Sequence, residues 1–446
     1  VRPQGDWSAP GSRAGTGLAR ATPAALLAMA SIYFFSYFQR TAIPGTVFDQ
    51  LQTEFGLPAS GVAALGSLFT WIYGGMQIVV GIVVDGWGGR RSLLAGGLAL
   101  ALGSLLFPLA HALPLLFAAR ALTGFGASFM YLSIVKEIGT RFGQEHFPAL
   151  LGGLLAVGYC GGMTATLPFE RAIAAIGWRP ALLIEAALSF LALSAAWLMP
   201  PSAATGPLQA PRPSLKPLVE VFRNRACLPS FATSFINFPI FFVVLTVLGK
   251  KFLQDFAGLD SPSAAATMLA MSATSALAVV AGGLLPRAIG GLRKPILVGA
   301  SAIVVLATAL LLAGTLLAAQ AWVFLAGYLL IATAIGLGGP SAGATMKDLN
   351  RLEVMASGIS VTNALSYIGC GTVAQACGMI LDHYHPAGLA QDAILVYPSA
   401  AYVALFSFLG LLSLLNFALS LAIPETRPSS GPASAPRYAL EGRMPK

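Results

Sequence analysis

Twelve apolar stretches, each long enough to cross a bilayer, constrain this chain more than any other feature. A helix of about 20 apolar residues spans the hydrocarbon core. The stretches are 24–48, 60–84, 92–111, 114–136, 148–170 and 179–199, then 226–249, 263–285, 295–318, 320–345, 355–381 and 399–423. Between the two sets of six lies "PPSAATGPLQAPRPSLKPLVEVFRNR", rich in Pro and basic residues. Only 10% of the residues are charged, against roughly 25% in soluble domains. The expected fold class is therefore an all-α polytopic membrane protein with 12 transmembrane helices. A transmembrane β-barrel is excluded, because its strands alternate over segments of about ten residues. The expected units are a tail 1–23, a first half 24–199, a linker 200–225, a second half 226–424 and a tail 425–446.

Lys and Arg set the orientation, since they accumulate in cytoplasmic loops. With both termini cytoplasmic, about 20 of the 26 fall on the cytoplasmic side, among them Arg90, Arg91, Arg212 and Arg293. Arg171, Arg179, Lys250 and Lys251 fall in external loops, and Arg40 and Arg120 fall within spans. A multi-pass protein of the bacterial inner membrane is expected. Val at position 1 suggests an alternative start codon or a truncated copy, and the polar residues 1–23 do not read as a signal peptide. The net charge of +9 is dispersed over short loops. The expected partners are therefore the lipid bilayer and a small solute, with no nucleic acid and no obligate protein partner. Cys160, Cys227, Cys370 and Cys377 form no C-x-x-C pair, and His383 and His385 read as loop residues. No cofactor is expected beyond a coupling proton or sodium ion. No Walker motif or catalytic cluster argues for an enzyme.

The halves echo each other. "LQTEFGL" (51–57) follows the first stretch and "LQDFAGL" (253–259) the seventh, while "GIVVDGWGGRR" (81–91) and "GGLLPRAIGGLRK" (282–294) follow the second and eighth. Such a weak internal repeat is typical of secondary transporters. The loop after the second stretch reads Gly81-x-x-x-Asp85-x-x-Gly88-Gly89-Arg90-Arg91. Glycines permit a tight turn there, and an Asp at a helix end pairs with basic residues or faces another helix N-terminus. The fourth stretch carries Arg120-x-x-x-Gly124-x-Gly126-Ala127. Its charge lies roughly 9 Å inside the outer end by helix rise, on one face with Tyr131, and small residues on that face admit a neighbouring helix.

These two motifs resemble signatures of the major facilitator superfamily, over roughly 24–424, and Pro424-Glu425-Thr426 closes the chain as many members close. The resemblance implies two six-helix bundles with pseudo-two-fold symmetry around a central cavity, working by alternating access. It implies a latch at Gly81, Asp85, Gly88, Gly89, Arg90 and Arg91, although Gly86 stands where the family usually has Arg or Lys. It implies a role in coupling or substrate handling for Arg120, with Gly124 and Gly126. A snorkelling anchor is the plainer reading of that arginine. In "AVGYCGG" no proline stands where drug–proton antiporters of the superfamily carry Gly-Pro, which speaks against efflux. "GWRP" (177–180) and "DLNRLEVMASGISVTNALSYIGCG" (348–371) are similar to the anion:cation symporter branch.

"SYFQRTAIPG" (36–45) places an arginine in the first span. At helical spacing Tyr33, Tyr37, Arg40 and Pro44 share one stripe, giving two phenols, a guanidinium and a bend. Arg is suited to a bidentate grip on a carboxylate or phosphate. In organophosphate and organic-anion members a similar arginine contacts the substrate, so the resemblance implies the same for Arg40. The matching part of the seventh span, "FPIFFVV", holds no charge, and Asn237 is its nearest polar neighbour. One arginine suits a singly charged anion better than a phosphate dianion. Gln77, Tyr131, Asn363 and Tyr367 complete the expected binding residues, although interhelical hydrogen bonding explains such groups equally well. Glu185, and after it Asp382, are the expected proton-carrying carboxyls. The expected function is secondary active transport of a small organic anion with cation coupling. The alternatives are efflux of an amphipathic compound and a transporter-like sensor that binds without transport.

Overall fold

Inside a bilayer the backbone has no partner but itself, so spanning apolar runs become helices. The structure, a computed structural model, describes residues 15–142, 146–200, 216–351, 354–386, 388–389 and 394–426. Most of both tails and residues 201–215 of the linker lie outside the described residues. The first half comprises α1 (Gly15–Ala42), α2 (Phe48–Phe55), α3 (Ala59–Trp87), α4 (Gly89–Leu109), α5 (Leu113–Arg141), α6 (Phe147–Thr164), α7 (Leu167–Ile176) and α8 (Trp178–Trp197). The second comprises α9 (Lys216–Arg223), α10 (Leu228–Thr246), α11 (Gly249–Asp255), α12 (Ser261–Ala288), α13 (Lys294–Leu316), α14 (Ala321–Leu349), α15 (Met355–His383) and α16 (Ser399–Leu421). Among the described residues ten helices are long and apolar enough to cross a membrane, and the pair α6–α7, bent by 41°, makes an eleventh. The twelfth is α1, whose last turns carry Gln39, Arg40 and Thr41.

Three expected spans end differently. The first stops at Ala42, and the seventh at Thr246. Pro44 therefore lies beyond α1 and does not bend it; its missing N–H suits a helix stop. Each stop is followed by a short helix, α2 or α11, on which the "LQTEF" and "LQDF" echoes sit. The fifth span breaks before Leu167, where Pro168 starts α7. The loop after α15 holds a two-residue antiparallel pair, β1 (Gly388–Leu389) with β2 (Leu395–Val396), which the sequence reading did not foresee.

Each half packs its own six spans, α4 against α5 and α8, and α13 against α14 and α16. The halves meet mainly where α3 lies on α15 and where α6 and α7 meet α12. α3 and α15 run antiparallel and in step. Added Cβ atoms would lie 2.7 Å from Ser60 Cα at Gly378 and 2.5 Å from Trp71 Nε1 at Gly371. Ser67 Oγ donates to Gly371 O at 2.7 Å, and Asn363 Nδ2 to Gln77 Oε1 at 3.0 Å. This contact starts at the molecular face bearing α2 and α11, the far face, and reaches the middle. The opposite face, bearing Arg90, Arg141 and Arg223, is the linker face.

Candidate functional site

Between the bundles lies a cavity of about 410 Å³. Its lining reaches from Thr246 near the far face to Met346 and Ile423 towards the linker face. Among the described lining residues Arg40 is the only charged one. It is 7% exposed. Its Nη1 donates to the Tyr367 hydroxyl. Its guanidinium carbon sits 4.1 Å from the Tyr37 ring centroid, 5.3 Å from that of Tyr73 and 5.2 Å from that of Tyr367. Aromatic faces stabilise a cation but do not neutralise it. No carboxylate pairs with Arg40 among the described residues, and its Nε is buried without a partner.

Tyr37, Asn237, Asn363 and Tyr367 line the cavity with Arg40, as does Tyr159, whose ring is 6.0 Å from that of Tyr37. Tyr33, Tyr131 and Gln77, also expected at the site, do not line it. Tyr33 donates to the Tyr37 hydroxyl at 3.3 Å, and the Tyr131 ring lies tilted against that of Tyr33 with centroids 6.3 Å apart. Gln77 accepts from Asn363 and is 5% exposed within the α3–α15 contact. Gly158 lets α6 close on this aromatic layer, since a Cβ there would lie 2.8 Å from the Tyr33 ring.

Arg120 does not snorkel. It is 1% exposed, donates to Leu65 O at 3.2 Å, Gln39 O at 3.0 Å and Ile43 O at 2.6 Å, and lies 4.3 Å over Phe69. The last carbonyls of a helix lack intrahelical donors, and Arg120 supplies them at the end of α1. It therefore holds the turn that presents Arg40. Gly124 and Gly126 are close-approach positions, where Cβ atoms would lie 2.8 Å from Phe69 O and 2.2 Å from Leu100 N. Glu185 on α8 is 4% exposed; it accepts from Gln39 Nε2 at 2.5 Å and from Ser189 Oγ at 2.8 Å. No cation pairs with it among the described residues. Glu185 is thus tied to α1 through Gln39, one residue before Arg40.

The 81–91 segment, expected as a loop, is the end of α3, the single link Gly88 and the start of α4, and it stays within its own bundle. Asp85 pairs with Lys136 at 2.7 Å. Gly88 adopts φ +87°, which a residue with a Cβ rarely tolerates. Gly89 packs on Ser133 and Glu137, Arg90 N donates to Glu137 Oε1 at 2.8 Å and Arg90 Nη2 to Trp197 O at 2.6 Å, while a Cβ at Gly81 would meet open space and Arg91 is exposed. The second half repeats the device, with Arg293 N donating to Glu425 Oε1 at 2.8 Å. A carboxylate at each helix start complements the helix dipole.

The far face is tied across the halves by groups the sequence reading missed or placed in loops. Lys250, expected in an external loop, is buried and pairs with Glu170 at 2.5 Å. Lys251 pairs with Asp49 at 2.8 Å and Asp255 at 2.9 Å. Asp382 accepts from the backbone N–H of Ala59 at 2.7 Å and Ser60 at 2.9 Å, capping α3. That strap holds Asp382 away from the cavity lining. The sequence did hold a signal for the lysines. Carried two residues back, the "LQTEFGL"/"LQDFAGL" echo sets Asp49 against Lys251 as equivalent residues of opposite charge.

Comparison with known proteins agrees with this architecture. The family model of the Major Facilitator Superfamily matches residues 29–374. A probable sulfoacetate transporter of Cupriavidus necator is 29% identical over 171 residues, 36% of this chain and 37% of that protein. A puromycin resistance protein of Streptomyces alboniger is 29% identical over 176 residues, 37% of this chain and 34% of that protein. The matched part thus spans only about a third of each curated relative. The nucleoside transporter NupG superposes with a TM-score of 0.72 at 14% identity, covering 90% of this chain and 99% of that one. A bacterial homologue of the human lysosomal transporter Spinster, inward-facing and unoccupied, also gives 0.72 at 18% identity, covering 93% and 98%. At such identities the likeness is one of fold: twelve helices in two six-helix bundles. The chain belongs to the Major Facilitator Superfamily.

Proposed function

We propose that this transporter carries a small organic anion by alternating access, with Arg40 as the anion grip and Glu185 as the site of a coupling proton. One observation carries the reading: a buried guanidinium in the cavity wall with no counter-charge among the described residues and an unpartnered Nε. Burying an unpaired charge is costly, and a carboxylate or sulfonate arriving from the cavity removes that cost. The similarity to a probable sulfoacetate transporter supports an anion. Glu185 accepts from two neutral donors and meets no cation among the described residues, so it is able to take up and release a proton. Its contact with Gln39 gives a route to the Arg40 turn. Asp382, strapped to α3, is the weaker candidate.

Arg90, Arg91, Arg141, Arg223 and Arg293 all lie at the linker face, which supports a cytoplasmic linker and cytoplasmic termini in a bacterial inner membrane. The state described is then inward-facing, closed outside by the Lys250 and Lys251 pairs. Asp85 and its loop are the natural latch for the opposite state. The similarity to a puromycin resistance protein supports a second reading, export of an amphipathic compound.

Purified protein in proteoliposomes, screened with labelled organic anions with and without an inward proton gradient, tests the proposal. Gradient-driven accumulation that Glu185→Gln abolishes is the expected result. Accumulation driven by sodium alone overturns the proton assignment. Binding without flux favours a sensor, and proton-driven transport of uncharged amphipathic compounds alone favours export.

A further inference from the structure

We infer that the cavity has a second pole, an uncharged one formed by Asn237 and Ser301, which receives a hydroxyl or carbonyl oxygen of the same anion held at Arg40. This inference rests on the anion reading and adds what the far end of the substrate must be. α10 is the counterpart of α1 in the second half, and it faces the cavity with Asn237 rather than an arginine. The amide is braced from behind. Asn416 on α16 is 0% exposed and donates from Nδ2 to Asn237 Oδ1 at 3.3 Å and to Ser301 Oγ at 3.1 Å. Both acceptors sit in the cavity wall.

The bracing fixes what remains free. Asn237 has its oxygen engaged, which leaves its Nδ2 hydrogens as donors. Ser301 accepts through Oγ, which leaves its hydroxyl hydrogen as a donor. Asn416 Oδ1 is buried with no partner among the described residues. A buried amide oxygen rarely goes unpaired in a finished site, so it calls for a donor, a water or a ligand hydroxyl, whereas a ligand carbonyl would be held by the Asn237 and Ser301 donors alone. The donors are neutral, and no lysine or arginine lines this end of the cavity among the described residues. Neutral donors favour an uncharged oxygen over a second carboxylate, whose desolvation they do not offset. The chemical class is therefore a monoanion bearing a distal hydroxyl or carbonyl, rather than a plain fatty acid or a dianion.

Binding of chain-matched pairs to purified protein, by calorimetry, tests this: pentanoate against 4-oxopentanoate, hexanoate against 5-oxohexanoate, heptanoate against 6-oxoheptanoate. The expected result is a preference of about tenfold for the oxo acid in at least one pair. Asn237→Leu and, separately, Ser301→Ala should shrink that preference to near unity while the plain acid still binds. No preference in any pair, or a preference that survives both substitutions, overturns the second pole. Arg40→Gln should weaken both members of a pair equally. If instead Arg40→Gln leaves the plain acids unaffected, or no carboxylate binds at all, the anion reading itself fails.

Discussion

At Arg40 and Arg120 the same side chain meets opposite fates. Arg120 donates to the Gln39 and Ile43 carbonyls, which have no intrahelical donor at the end of α1, and also to Leu65 O in α3, so it belongs to the scaffold. Arg120→Leu orphans the two carbonyls at the end of α1 and is expected to destabilise the detergent-solubilised protein by about 2–5 kcal/mol, read as a lowered thermal midpoint. Among the described residues the Arg40 guanidinium is met by three tyrosine rings and the Tyr367 hydroxyl, and by no carboxylate. Arg40→Met is expected to leave the ligand-free protein unchanged or stabilise it by up to about 2 kcal/mol, because an unpaired buried charge is lost. The same thermal measurement separates the two: if both variants fall equally, Arg40 is structural. The sequence singled out both arginines, because a charge in an apolar span is conspicuous. It did not tell their roles apart. Helical spacing names a face but not what lies across it, and the carbonyls that hold Arg120 come from spans some 55 to 81 residues away. Tyr33 and Tyr131 were on the right faces, one layer behind the lining.

Short helices α2 and α11 carry the far-face closure. Asp49 and Lys251 are equivalent positions of the two halves, so they approach each other near the pseudo-symmetry axis, and their charges are opposite. Lys251 also faces Asp255, so two carboxylates share one ammonium. Lys251→Met takes the shared ammonium from both carboxylates, leaving Asp255 only its Tyr397 and Tyr402 donors, and is expected to open the far face. Spin labels at Thr53 and Gln254 should then show a longer interhelical distance than in the parent; an unchanged distribution would show that the pair does not hold the closure. Burial pushes the Asp255 carboxyl above its usual range, with Lys251 pulling the other way. A proton is therefore held more tightly in the closed face than in an open, hydrated one. The closed fraction should fall as pH rises through the window above the ordinary Asp value of about 3.9, then stay level, and Asp255→Asn should flatten that profile. These elements were only half legible. The echo marked them as repeats, but the apolar runs hid the breaks at Ala42, Thr246 and Leu167, because hydropathy does not fall where a chain turns inside protein.

For the whole molecule, the twelve spans and the repeat were readable because a bilayer enforces length and apolarity on every crossing. Which face is closed was not, since the same spans can pack with either face closed. Contacts now decide it: α3 on α15 and the lysine pairs close the far face, while the cavity reaches towards the linker face. An anion entering that cavity meets one cation, Arg40, and the account stands or falls on that encounter. The most direct test is equilibrium binding of one organic monoanion and its uncharged primary amide to the parent protein and to Arg40→Gln. The prediction is that the parent binds the anion and not the amide, and that Arg40→Gln weakens the anion by about 10- to 100-fold. Undiminished binding of the anion by a folded Arg40→Gln variant would contradict it.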